Sequence, residues 1–225
     1  MASVEGPFID LWHTDIPIAE QAWYLRQGLT LLSGEQQQQI MRYRQLSDQL
    51  LHLLGRLLVR RYLLETGKPL DWQDWQVSHL GKPFVKSGPQ FNLSHAGTRV
   101  VAAFSTHPIG VDLEVEQSLD ATMFIRYLHP AEQAFVREAA NPTTAFLTVW
   151  TRKEALLKAL GVGISKQLAV HNCLLARITY PADCSIWHLH SLPAATGYFQ
   201  ALSTPISGAR WQSQFVLPIK LLQLI

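Results

Sequence analysis

At the midpoint of the chain, Ile109, Val111, Leu113 and Val115 alternate with Gly110, Asp112 and Glu114. A period of two marks a β-strand with one apolar face and one polar face. The stretches on either side follow a helical period instead. Leu50, Leu53, Leu54, Leu57 and Leu58 repeat as i, i+3, i+4, i+7, i+8, the stripe of a helix packed on a core. Asp48 is a cap candidate for that helix, which fades near Gly67–Pro69. Downstream, Pro130 suits the first turn of a second helix. Asn141-Pro142-Thr143-Thr144 breaks the chain and caps a longer helix to about Leu160, closed by Gly161 and Gly163. Arg99–Ser105 reads as a strand, and residues 168–225 read as strands joined by turns. Helices in each half, mixed with strands, predict an α+β fold. A seam near Thr106–Gly110 divides the 225 residues into halves at 1–107 and 108–225.

Apolar residues make up 48% of the chain and charged residues 16%, which excludes intrinsic disorder. A net charge of +2 is too small for bulk binding to nucleic acid or to a membrane surface. Two cysteines, Cys173 and Cys184, form no disulfide framework and lack metal-ligand spacing, so both read as small core residues. Met1–Asp10 lacks the basic start and apolar run of a signal peptide, and no apolar run is long enough to span a membrane. The expectation is a soluble, cytoplasmic protein. The polar run Gln36–Gln39 reads as a solvated helix face.

Four short constellations can carry chemistry. Asp112 and Glu114, at i and i+2 on one strand, project from the same face. Two anions held close repel unless a cation lies between them, and hard oxygen ligands suit Mg²⁺. The plain alternative is the solvated outer face of an edge strand. Trp150 to Lys158 contains Lys153, Glu154 and Lys158 beside an apolar stripe of Phe146, Trp150 and Leu157. Glu154 and Lys158 form either an exposed i, i+4 pair or part of a site shared with Asp112 and Glu114. Lys153 lies near the stripe and has the reach to snorkel to water. Phe91-Asn92-Leu93-Ser94-His95 places a hydroxyl beside an imidazole. No glycine-flanked elbow surrounds Ser94, so these groups suit phosphate donation better than a hydrolase triad. Gly81-Lys82-Pro83 holds a lysine in a stiff turn, a point charge for phosphate, yet it is not a P-loop.

In this order and spacing, with Trp150-x-x-Lys153-Glu154-x-x-x-Lys158 and Gly161-x-Gly163, the chain resembles the 4′-phosphopantetheinyl transferases, and within them the larger surfactin-synthetase-activating type. The motifs cover about residues 81–164, and Leu54-Gly55-Arg56 to Arg60 extends the likeness toward the N-terminus. The resemblance implies a monomer of two similar α+β halves with the active site in the cleft between them. It implies coenzyme A as donor, an apo acyl or peptidyl carrier protein as acceptor, and release of adenosine 3′,5′-bisphosphate. Asp112, Glu114 and Glu154 are then the ligands of Mg²⁺ or Mn²⁺. Glu154 becomes the acceptor of the carrier serine's proton, and Lys158 the partner of the leaving phosphate. Lys82, Ser94 and His95 would bind the nucleotide end of coenzyme A, while Lys153 would steady its helix or contact phosphate.

The type often carries basic residues where this chain has Gln36 and Gln39, and Arg42, Arg44 or His52 is then expected to compensate. Arg56 and Arg60, at i and i+4, read as structural ion-pair partners. Trp150 reads as core. Ala121–Ala140, with Met123, Phe124, Arg126, Tyr127 and Phe135, is the candidate carrier surface. A non-catalytic homologue that binds carrier protein or coenzyme A, and a metal-dependent phosphohydrolase using the same carboxylates, are the alternatives.

Overall fold

The computed structural model describes residues 8–116, 121–163 and 166–223; the side chains of residues 121–123 and 166–167 lie outside that description. The chain runs β1 (Phe8–Asp15), α1 (Gln21–Leu29), α2 (Gly34–Met41), α3 (Leu46–Glu65), β2 (Trp75–Val77), β3 (Pro83–Val85), β4 (Gln90–Ala96), β5 (Arg99–Ser105), β6 (Gly110–Val115), α4 (Pro130–Glu138), α5 (Pro142–Leu160), β7 (Arg177–Thr179), β8 (Ile186–Leu192), β9 (Tyr198–Thr204), β10 (Arg210–Phe215) and α6 (Pro218–Leu221). Short 3-10 turns lie at Trp72–Asp74, Ala121–Tyr127 and Lys166–Val170.

The strands form two four-stranded sheets, ordered β10-β1-β5-β4 and β6-β9-β8-β7, and a small β2-β3 hairpin. Each large sheet carries one long helix. The leucine stripe of α3 is buried with Trp12, Phe91, Val100, Ala102 and Phe104 of the first sheet. Each of these leucines is at most 1% exposed, and burying one contributes about 1.5–3 kcal/mol. Gln45, not Asp48, occupies the cap position of α3; Asp48 sits in the first turn, where the helix dipole favours an anion. On the second sheet, Leu156 and Ala159 of α5 pack on Ile178, Trp187 and Leu189. Asn141 caps α5 by accepting from the Thr144 N–H, and Gly161 ends it at φ 68°, a left-handed turn that glycine adopts without strain.

The sheets share a core. Ile9, Leu11, Val101 and Ala103 of the first meet Val111, Leu113 and Leu202 of the second. Their facing edges are β4 and β6, joined by side chains rather than by a backbone ladder. The Val111 N–H donates to Asn92 Oδ1 at 2.9 Å, and the Leu113 N–H donates to Ser94 Oγ at 3.2 Å. Asp112 is therefore only 3% exposed, and the solvated edge considered for β6 is excluded.

The last strand crosses the division at 107/108. β10 pairs in parallel with β1, from Phe8↔Arg210 to His13↔Phe215. Val216 and Leu221 beyond it are buried with the leucines of α3. Of the two cysteines, Cys173 is buried as expected. Cys184 is exposed, in a turn with φ 58°, and is not a core residue.

Candidate active site

The site lies where β4, β6 and α5 meet. Period two aims Asn92 and Ser94 of β4 toward β6, and it aims Asp112 and Glu114 of β6 toward α5. Gly110 lets α5 come close: a Cβ there would run into the backbone of Ala155 and Ala159. One turn of helix separates Glu154 from Lys158. The Lys158 ammonium donates to Asp112 Oδ1 at 2.6 Å and to Ser94 Oγ at 2.8 Å, and the Ser94 hydroxyl lies 3.0 Å from the same Asp112 oxygen. Ser94, Asp112, Glu114, Glu154, Lys158 and His95 line one depression.

This cluster holds more negative charge than its one ammonium offsets. Burial raises the pKa of Asp112, and the Lys158 charge opposes the rise. Burial pushes Glu114 up to about 7, helped by the Asp112 charge and opposed by Lys158 and by a hydrogen bond from Trp150. Burial and the Asp112 charge push Glu154 up to about 7 as well. Asp112 Oδ2 and Glu154 Oε1 are buried without a hydrogen-bond partner among the described residues. An unpartnered buried acceptor is costly, so these oxygens have capacity for a cation.

Among the described residues no three His, Cys, Asp or Glu side chains are gathered into a metal cage. Mg²⁺ needs none: it commonly takes one or two carboxylates and completes its shell with water and substrate phosphate. The donor set of Asp112, Glu114 and Glu154 fits such an ion.

Two hollows adjoin the depression. One, of about 190 Å³, passes Lys82 and Lys158. The other, of about 260 Å³, is lined by Tyr43, His52, Arg56, Trp75 and His95, among others. Lys82 reaches across the seam and donates to the carbonyls of Ile109 and Ala159 at 3.1 and 3.3 Å. Burial lowers its pKa to about 8. His52 stacks on Tyr43 with centroids 4.0 Å apart and meets His95 edge-on at 4.9 Å. Burial holds His52 at about 4, and burial with the Lys158 charge also lowers His95. Arg44 is exposed next to Tyr43 in the chain.

Several expectations need correction. Of the two roles expected of Lys153, contact with phosphate is not supported and steadying its helix is. Lys153 is fully buried, paired with Glu132 at 2.9 Å and donating to the carbonyls of Leu168 and His171. Glu132 also accepts from the N–H groups of His129 and Cys173, so this pair ties α4, α5 and the following turn together. Sequence reading missed Glu132 because it requires knowing which face of α4 meets α5. Asn92 was also missed, although its place two residues before Ser94 signals a shared face. Gln36 and Gln39 are not a solvated face: Gln36 is 3% exposed and both accept hydrogen bonds from Arg56. Arg56 and Arg60 form no ion pair among the described residues. Trp150 is core, as expected, and stacks on Phe146. In Ala121–Ala140, Phe124 and Tyr127 pack on Trp150, while Arg126 and Phe135 are exposed; the side chain of Met123 is outside the described residues.

Comparison with known proteins bears directly on this site. A family model described as the 4′-phosphopantetheinyl transferase superfamily matches residues 108–202, and one described as 4′-phosphopantetheinyl transferase, N-terminal, matches residues 17–107. The 4′-phosphopantetheinyl transferase gsp of Aneurinibacillus migulanus is 35% identical over 136 residues, covering 59% of this chain and 57% of its own. Sfp of Bacillus subtilis is 30% identical over 146 residues, covering 62% and 65%. The Synechocystis protein slr0495 is 32% identical over 181 residues, 72% of each chain. The matched region thus spans less than two thirds of the length of gsp and of Sfp.

Proposed function

The chain belongs to the 4′-phosphopantetheinyl transferase family, of the type to which Sfp belongs, and from that premise we propose that it transfers the phosphopantetheine arm of coenzyme A to a serine of an apo carrier protein. The observation that carries the proposal is the Ser94–Asp112–Lys158 network beside two unpartnered buried carboxylate oxygens, at the seam of the two halves.

The carrier hydroxyl attacks the phosphorus that bears pantetheine. A new O–P bond forms, the P–O bond to the nucleotide breaks, and adenosine 3′,5′-bisphosphate leaves. Glu154 takes the hydroxyl proton: its free buried oxygen and a pKa near 7 make it a better proton acceptor than a solvated carboxylate. Lys158, held by Asp112 and Ser94, places positive charge where the leaving phosphate gathers negative charge. Asp112, Glu114 and Glu154 would hold Mg²⁺ or Mn²⁺, which when bound neutralises and orients the diphosphate. Ser94, His95, Lys82 and His52 border the hollows proposed for the nucleotide end of coenzyme A, and the exposed Arg44 lies next to Tyr43 in the chain. The exposed Arg126 and Phe135 offer charge and apolar contact to an acidic carrier protein.

Both walls of the site come from one chain, which supports a monomer as the working form. No described helix is long and apolar enough to cross a membrane. The proposal places the protein in the cytoplasm, with its donor and acceptor.

The test is intact-protein mass spectrometry of an apo carrier protein incubated with this protein, coenzyme A and Mg²⁺, with a chelator control. A phosphopantetheine mass gain that disappears with chelator is the expected result. Coenzyme A binding with no mass gain across several carrier classes would replace the transferase with a binding homologue. Phosphate-ester cleavage without any carrier would replace it with a hydrolase.

A further inference from the structure

A further hollow opens against the reverse face of β6. The Leu113 side chain points away from those of Asp112 and Glu114, because side chains alternate along a strand. Leu113 helps to line a hollow of about 260 Å³, as large as the one beside Tyr43 and His52. Both halves of the molecule build it. His13, Arg99 and Ser213 come from the first sheet, and Leu113 and Gln200 come from the second. Phe215 and the segment 193–195, between β8 and β9, add apolar wall.

The polar groups of this hollow have hydrogens to spare. Gln200 is only 4% exposed. Its Oε1 accepts from His13 Nε2 at 2.9 Å, while its Nε2 is buried with no partner among the described residues. A buried amide left half-satisfied is costly, and an acceptor brought by a ligand would complete it. His13 is engaged on both nitrogens, since its Nδ1 lies 3.2 Å from Ser213 Oγ. Burial lowers the pKa of His13, against the Gln200 hydrogen bond that raises it, so the ring is neutral near pH 7. Arg99 donates to the two Asp15 oxygens at 2.7 and 2.8 Å, which uses two of its five N–H groups. No carboxylate is among the residues that line the hollow.

We infer that this hollow is a binding site for a small monocarboxylate with an apolar body. The carboxylate accepts from the Gln200 amide and from the N–H groups that Arg99 does not spend on Asp15. The apolar body lies against Leu113 and Phe215. A cation has no acceptor of opposite charge on these walls, and an alcohol leaves donors unused. The inference stands apart from the transferase reading, since it concerns the opposite face of β6 and other side chains.

The experiment is an amide NMR titration of the full chain with benzoate, and with benzylamine as its cationic counterpart. Benzoate shifts the signals of Leu113, Gln200 and Ser213 with a Kd in the millimolar range, as a probe of this size allows, and benzylamine does not. Gln200→Glu keeps an acceptor for His13 but turns the spare donor into an anion, and it weakens benzoate by about tenfold or more. Ser213 is exposed, so Ser213→Asp leaves the urea midpoint unchanged and sets a like charge beside the ligand, again weakening benzoate. No response to benzoate overturns the inference, as does a response centred on Lys82 and Lys158. Undiminished benzoate affinity in either folded variant, or equal binding of benzylamine, overturns it as well. Each of these outcomes leaves the mass-gain test of the transferase untouched, and failure of that test leaves this site standing.

Discussion

Glu154 and Asp112 each keep a buried oxygen that no group among the described residues satisfies, and their charges oppose each other. Such an arrangement costs stability, and the proposed chemistry gives it a use. Glu154→Gln keeps the shape, removes one of the opposing charges and removes the proposed proton acceptor. Carrier modification, followed as an initial rate by mass spectrometry, should fall by about a hundredfold or more. The urea midpoint should stay level or rise, because like-charge repulsion is relieved. A variant with near-normal rate would take Glu154 out of the proton transfer; one with a lowered midpoint would show that the carboxylate supports the fold. At this scale the sequence was partly legible. Asp112, Glu114, Glu154 and Lys158 are readable because strand period and helix turn fix which side chains share a face. Lys153 was left between steadying its helix and contacting phosphate, and Arg56 was given an ion pair it does not make, because a cation's role depends on what lies opposite it, and Glu132, Gln36 and Gln39 lie in other elements.

Elements set how far apart these groups stand. β6 and α5 touch at Gly110, where a methyl group would meet the Ala155 carbonyl and the Ala159 backbone. Helix backbone cannot swing aside as a flexible side chain can, so the whole of α5 must lift. Gly110→Ala should cost about 3 kcal/mol or more, read from urea unfolding. It should also depress carrier modification beyond any loss of folded protein, since Glu154 and Lys158 ride on α5 while Asp112 stays on β6. A variant that unfolds at the wild-type midpoint would mean that the helix yields locally, and the site's geometry would not depend on this contact. The long helices themselves were legible in their apolar stripes, in Asn141 and in Gly161. The contact was not, because glycine in a strand has several explanations and only the packed helix selects one.

Over the whole molecule the two sheets behave as one body. Their shared core draws Ile9, Leu11 and Val101 from one side and Val111, Leu113 and Leu202 from the other. Asn92 and Ser94 satisfy the edge of β6, and His13 meets Gln200 across the seam at 2.9 Å. The chain then returns, so that β10 closes the open side of β1. None of this return is visible in residue periodicity, because partner choice between distant strands leaves no local mark. Division at 107/108 would strip β1 of β10, expose both faces of the shared core and leave the Val111 and Leu113 amides unpaired. Unfolding of the intact chain should therefore be a single transition, with secondary structure and tryptophan environment lost together. A chain ending at residue 205 lacks β10, Val216 and Leu221, and should lose folded protein in both halves rather than only at its end. Circular dichroism and amide exchange on the shortened chain decide between these outcomes. Protection lost in α5 as well as in α3 would tie the active site to the returning strand. Protection kept throughout α5, with β6 and β9 intact, would show that the second half holds its site without the first sheet complete.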